Sequence, residues 1–341
     1  MIRLTKLQVR VVERIIATIP LALAVAVAAF VFMRMLPGDP VDIMMGEAAG
    51  VAQGEIEALR RQLGLDQPIL VQLSNYLKGV FRGDLGYSII RGRPVAEVIG
   101  EAIPATVELA VCAMVISVLV GVPLGTASAL KQNTALDRAT SAASFLGISM
   151  PPFWLGIVAI LVLAMNLGWL PTSGRAPYGY EPRHITGLFI LDSILTWDPE
   201  ALAASLRHLV LPSLTLATGV TAVVVRITRS SMLDVMRADY ITFARAKGVP
   251  ERAVTVKHAL RNAMIPTATL VGLEFGSLLG GNMIVETIFS WPGLGRVVVD
   301  AIFAQDYPVV QAAVMVYALT YVGMNLITDI VYTVLNPRMS I

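Results

Sequence analysis

The chain has 341 residues, of which 56% are hydrophobic and only 15% charged, and its net charge is +2. A soluble domain carries nearer a quarter charged residues, so the composition excludes an ordinary soluble enzyme, and a charge this small gives no sign of a nucleic-acid partner. The single cysteine, Cys112, cannot form an internal disulfide and reads as an inert thiol in an apolar run.

Apolar runs long enough to cross a bilayer recur along the chain. They are continuous, whereas a membrane barrel would show short alternating segments of about 10 residues. An open sheet cannot satisfy its backbone in lipid. The expected fold is therefore all-α and integral to the membrane. In chain order, residues 1–14 form a basic N-terminus and 15–33 a first span bracketed by Arg14 and Arg34. AVA at 26–28 resembles a signal cleavage site, but the apolar run continues past it, and a retained helix is expected. Residues 34–104 form a mixed loop region, with short surface helices expected over 54–64 and 68–81. Five further spans are expected near 105–130, 140–166, 209–225, 267–285 and 309–335, within a core of 105–335, followed by a tail at 336–341. A Pro-, Gly- and Tyr-rich ordered loop is expected over 167–208.

With the N-terminus inside, fifteen Lys and Arg lie on the cytoplasmic side, against four outside once the long 34–103 loop is set aside. Long loops translocate largely regardless of charge. Six spans then put both termini and the segment 226–266 in the cytoplasm.

The stretch from Asp239 to Pro266 is basic and rich in helix formers. Asp239 is expected to cap a helix running to Lys247. Gly248 suits a left-handed C-terminal position. Pro250 suits the first turn of a second helix, which Pro266 is expected to close. Functionless connections are usually short, so an ordered helix–turn–helix between two spans points to a docked cytoplasmic partner. Within the spans, Glu274 is an expensive charge, and Asn282 and Asn325 are polar positions whose default is an interhelical hydrogen bond. Met150 and Pro151, followed by Pro152, mark a kink in the third span. Gly272, Gly276 and Gly280 offer a small face for close helix packing. Glu108 and Asp329 stand near span ends and are expected to reach the interface.

No GxxxxGK[ST] phosphate loop, HExxH or Cys/His cluster occurs, and His184, His208 and His258 are far apart. No catalytic or metal site is expected in this chain.

ARAKG at 244–248 followed by HALRNAMIP at 258–266 resembles the coupling motif of binding-protein-dependent ABC importer permeases, in the form typical of the dipeptide/oligopeptide/nickel branch. Against the generic motif aligned on Gly248, Ala244 and Leu260 match, while Thr242, Phe243, His258 and Arg261 depart. The likeness extends through MLPGDP at 35–40, LGLDQP at 63–68, RGDLGYS at 82–88 and LDRATSAASFLGISMPPFWLG at 136–156. It continues through LGWLPTSG at 167–174, RITRSSMLDVMRADY at 226–240, ETIFSWPGLGRVVVDAI at 286–302, DYPVVQ at 306–311 and NPR at 336–338. TGLFILDSIL at 186–195 resembles the dipeptide-type permeases more than the nickel-type ones.

The resemblance implies a type I ABC importer permease fold with an external N-terminal loop region, in a bacterial or archaeal inner membrane. It implies a second, related permease subunit, two cytoplasmic ATPase subunits holding ATP and Mg²⁺, a periplasmic or lipid-anchored binding protein, and surrounding membrane lipid. It places the ATPase contact at Asp239, Tyr240, Ala244, Arg245, Ala246, Lys247, Gly248, Val249 and Pro250. Pathway or gate candidates are Met150, Pro151, Glu274, Asn282 and Asn325. WPGLG at 291–295 resembles a stiff turn near the outer mouth. The implied cargo is short peptides, with nickel chelates, glutathione, haem precursors or sugars as alternatives. A secondary transporter is a further alternative, but it calls for repeats and paired ionisable residues in broken helices, which the sequence does not show.

Overall fold

The computed structural model describes residues 6–35, 57, 61, 65–88, 90–280 and 282–335. Among these, α1 (Lys6–Met35) carries the first apolar run. α2 (Ile69–Phe81) follows, then a two-residue hairpin of β1 (Tyr87–Ser88) and β2 (Arg93–Pro94), antiparallel with Tyr87 opposite Pro94. The expected surface helix over 68–81 is thus present. The one over 54–64 lies outside the described residues, apart from 57 and 61.

Two long helices organise the rest. α3 (Val95–Leu130) has 36 residues and α7 (Pro199–Met236) has 38, and they pack along one another. At 1.5 Å per residue each exceeds 50 Å. The hydrocarbon layer is only about 30 Å, so their ends must project beyond it. On α7 the projecting ends carry Glu200, Arg207 and His208 at one side and Arg226 and Arg229 at the other. α10 (Arg261–Leu279) packs on α7 and on α13 (Tyr307–Leu335), and α1 packs on α13. Three described helices are long and apolar enough to cross a membrane, and a fourth if a bent pair counts as one.

That bent pair is α4 (Ala135–Ser149) and α5 (Pro152–Ala159), which continues in wide π-type turns over Ile160–Asn166. The axes meet at 101°, so the expected kink is a break. Pro151 forces Met150 out of helical backbone, and Met150 sits at ψ 125°. Pro152 then stands at the start of the next helix, where its missing N–H costs nothing. The loop over 167–208 is ordered, as expected, but also holds the helix α6 (Phe189–Leu195) and the first residues of α7.

Two expectations fail locally. α10 ends at Leu279, and Asn282 begins the short helix α11 (Met283–Ile288), so no continuous span covers 267–285. Pro266 closes nothing: helix continues through it from Glu251 to Leu279. Inside a membrane bundle, neighbouring groups and local widening re-satisfy a ladder that proline interrupts, and a π-type stretch, Val254–Leu260, directly precedes α10.

Candidate coupling hairpin and buried ends of the bundle

At one end of the bundle, α8 (Asp239–Ala246) and α9 (Glu251–Ala253) form a hairpin around Gly248. Asp239 is the first helical residue; Ala238 holds the cap position, with no side-chain cap bond. The acid still favours the positive end of the helix. The turn closes as a Schellman motif: the Gly248 N–H donates to the Arg245 carbonyl at 2.9 Å and the Val249 N–H to the Ala244 carbonyl at 3.2 Å. Gly248 has φ +76°, a left-handed value that side chains adopt only with strain. A Cβ there would meet nothing within 4 Å, so the glycine serves this chain through its backbone.

The hairpin is seated by apolar burial. Ile241 and Val254 are fully buried with Ala129 of α3, Met232 of α7 and Ala263 of α10, and Ala244 and Val249 pack at the edge of the same cluster. Burying such a side chain contributes roughly 1.5–3 kcal/mol. The opposite face is open: Asp239, Tyr240, Arg245, Ala246, Lys247 and Pro250 are exposed, and Phe243 is 61% exposed. Lys247 Nζ lies 4.5 Å from the Phe243 ring centre. Asn262 Nδ2 donates to the Tyr240 hydroxyl at 2.9 Å. Arg245 donates to both Glu251 oxygens, at 2.7 and 3.1 Å, across the turn. That contact holds the Glu251 carboxyl below its usual range and the Arg245 guanidinium above its own.

Beneath the hairpin, Asp137 of α4 is buried and accepts from Ser128 Oγ (2.6 Å), the Asn133 N–H (2.8 Å) and both Nε and Nη2 of Arg229 (2.6 and 2.9 Å). One carboxylate thereby ties α3, α4 and α7. A buried anion needs such a full set of donors.

The far end of the bundle is built on Trp291, just before α12 (Leu294–Phe303). Its indole N–H donates to the Ala105 carbonyl of α3 at 2.8 Å, and the ring is buried. One residue on, Thr106 donates to Glu286 at 2.8 Å and accepts from the Leu294 N–H at 2.8 Å. The other Glu286 oxygen accepts from the Arg296 N–H at 3.1 Å. A Cβ on Gly293 would fall 2.5 Å from this carboxyl and one on Gly295 2.8 Å, so only glycine lets the backbone wrap it. Two residues further along α3, Glu108 accepts from Arg175 Nη2 at 2.5 Å and from the Ile190 N–H at 2.7 Å. The Arg175 guanidinium lies 3.7 Å from the Phe189 ring centre and 5.6 Å from that of Trp291. Glu108 is therefore a buried ion-pair partner, contrary to the expectation that it reaches the interface. The side chain of Asp329 lies outside what is described.

The pathway candidates are not brought together. Met150 and Pro151 form the α4–α5 elbow. Glu274 is half-buried in α10 without a partner among the described residues. Asn282 Nδ2 bonds the Leu278 carbonyl one turn back at 3.0 Å, and Asn325 has a buried side-chain oxygen with no partner, so neither makes the expected interhelical bond. None of the five lines the apolar groove of about 350 Å³ between α3, α10 and α13. Gly272 and Gly276 pack against Thr328, and against Met324 and Tyr321, on α13 of the same chain; Gly280 would meet only backbone oxygens of Gly276 and Ser277. No group of three or more metal-binding side chains occurs among the described residues.

Trp291, Glu286 and Thr106 act as one unit only because α3 passes beside the 286–296 turn, which no local sequence signal announces. A hint for Glu108 was available: an acid inside an otherwise uncharged apolar run calls for a buried partner.

Residues 121–341 match the model for the binding-protein-dependent transport system inner membrane component, and residues 7–110 match that for the N-terminal part of such membrane components. The dipeptide transport system permease protein of Alkalihalophilus pseudofirmus is 40% identical over 96% of this chain and 97% of its own length. The glutathione transport system permease protein of Salmonella typhimurium is 42% identical with the same coverages. The dipeptide transport system permease protein of Escherichia coli K12 is 40% identical, again over 96% and 97%. The chain belongs to the family of binding-protein-dependent transport system inner membrane components, multi-pass permease subunits of ABC importers rather than enzymes.

Proposed function

We propose that this chain is one permease half of an ATP-driven importer of short peptides, gripped by a cytoplasmic ATPase through the Gly248 hairpin. The carrying observation is the hairpin itself. Its inner face is locked to α3, α7 and α10 by Ile241 and Val254, and its outer face presents Tyr240, Phe243 and Lys247 uncovered. A rigid lever needs both properties: a partner pushing on the open face moves three helices together. Asp239, Ala244, Arg245, Ala246, Val249 and Pro250 shape that face or its turn.

In this reading the chain has six spans, both termini and residues 226–266 are cytoplasmic, and 34–104 is an external region before the 105–335 core. A second related permease completes the pathway, ATP and Mg²⁺ are held by two partner ATPases, and a binding protein delivers cargo to the Trp291 end. This chain performs no covalent step; it rocks as a gate half. Met150 and Pro151 are the proposed flexing elbow. Glu274, Asn282 and Asn325 are the proposed polar positions along the path. Relatives of similar identity are named for dipeptide and for glutathione transport, which favours peptides of two or three residues as cargo.

The test is ATP-dependent peptide uptake by the co-purified complex in liposomes. Replacing Gly248 by Val puts a β-branched residue at φ +76°, costing at least about 1–2 kcal/mol. We expect normal membrane insertion, continued ATP hydrolysis and loss of uptake. Wild-type uptake in Gly248→Val overturns the hairpin's role.

A further inference from the structure

A recess of about 510 Å³ opens between the 168–180 loop and the first turns of α7. Its volume falls in the range of small-molecule sites. One face of α7 forms its floor: Glu200, Ala203, Ala204, Arg207 and His208, at spacings of three, four, seven and eight. These positions lie on one side of a helix. Trp169 and Tyr180 stand as walls, both substantially exposed. The floor is therefore an acid, two methyl groups and a basic pair, in line.

The polar groups are largely uncommitted. Glu200 has no partner among the described residues. Arg207 spends only Nη2 on the Trp169 carbonyl, at 3.3 Å. His208 Nδ1 lies 2.8 Å from the Ala204 carbonyl. A carbonyl only accepts, so that nitrogen carries the proton and Nε2 is left for another group. Seven residues of helix separate Glu200 from Arg207 by about 10 Å. An extended chain advances about 3.3–3.6 Å per residue, so three residues span that interval.

We propose that this recess is a receiving site for a zwitterionic tripeptide. Glu200 binds the α-ammonium, the uncommitted Arg207 N–H groups bind the α-carboxylate, the peptide backbone crosses Ala203 and Ala204, and Trp169 and Tyr180 flank its side chains. The proposal rests on the peptide-importer reading and adds to it a site that recognises the two termini, independent of side-chain identity. Alanine at both central positions keeps the floor low enough for a backbone to lie between the charges.

The test is equilibrium binding of tri-alanine to the assembled complex in nanodiscs without binding protein. A charge-assisted hydrogen bond is lost in Glu200→Gln, and tri-alanine affinity should fall about tenfold. N-acetyl-tri-alanine should bind wild type and Glu200→Gln alike. Arg207→Gln should mirror this, weakening tri-alanine while leaving its C-terminal amide unaffected. Ala203→Leu should weaken all three ligands. Absent tri-alanine binding in wild type, or affinity unchanged in both Glu200→Gln and Arg207→Gln, overturns the site. So does phosphatidylethanolamine that co-purifies with the wild type, is lost in Glu200→Gln and is not displaced by peptide, because the recess would then hold a lipid headgroup. ATP-driven uptake of tri-alanine by the wild-type complex with its binding protein separates the two levels. Uptake without recess-dependent binding removes this site alone; no uptake of any short peptide removes the importer reading.

Discussion

The Trp291 turn and the Gly248 hairpin are seated by different physics, although the helices beneath the hairpin share a buried ion pair of their own, Asp137–Arg229. At the Trp291 end, polar and ionic groups are buried and tie distant segments: Glu108 to Arg175, Glu286 to Thr106, and Trp291 to Ala105. At the Gly248 end, the hairpin is held by apolar contacts of Ile241 and Val254, while its ion pair, Arg245–Glu251, lies in solvent. Buried polar ties are directional and costly to leave half-made. Apolar seating tolerates small shifts. The contrast fits the proposed gate half, in which the Trp291 turn keeps one geometry while the Gly248 hairpin is pushed.

Three measurements sharpen or break that contrast. The largest effect is expected from Arg175→Met, which leaves the Glu108 carboxylate buried and unpaired, at a cost of about 3–5 kcal/mol. Thermal unfolding of the purified complex should show a clear loss, largely restored by adding Glu108→Gln. An unchanged midpoint would mean that the pair is solvated and the far end no stiffer than the near one. Next, Ile241→Ala should cost roughly 2–4 kcal/mol of hairpin seating. Hydrogen exchange should rise across 239–260 and stay unchanged across 286–300. Equal loosening at both ends would dissolve the distinction.

The smallest effect concerns pH. Asp192 of α6 is buried, which pushes its carboxyl up, but the Thr186 hydroxyl and the N–H groups of Thr186, Ile185 and Gly187 outweigh burial and hold it below the usual range. A lowered pKa means that its contribution is complete above the ordinary aspartate value near about pH 4 and is lost as pH falls through the folded value. Gly187 also offers its carbonyl to Arg175. Protection across 185–190, taken relative to the intrinsic exchange rate at each pH, should therefore fall on acidification below about pH 4, and Asp192→Asn should already show the lowered protection at neutral pH. A flat profile in the wild type would show that these donors do not set the loop.

Much of the near end was legible in the sequence. Gly248 at a helix end predicts a left-handed turn, and the turn is there. The proline pair after Met150 predicts an interruption, though not a 101° break. The Asp239 cap, the Pro266 stop and an unbroken span across 267–285 were each mistaken by a few residues or by a wrong assumption about proline in a membrane bundle. Glu274 was conspicuous as a charge in a span, yet the acids that do bind across the bundle are Glu108, Asp137 and Glu286.

By itself the sequence determined the membrane class, the apolar middles of the long helices and the Gly248 turn. Hydrophobic length and backbone preference belong to a residue and its near neighbours. Only the tertiary structure decided that Glu108 meets Arg175, 67 positions away, that Glu286 meets Thr106, 180 positions away, and that Gly272 faces Thr328. Those pairings depend on which helix faces pack together. Packing is settled by the shape of the whole bundle, and a buried charge carries no mark of its partner until that shape exists.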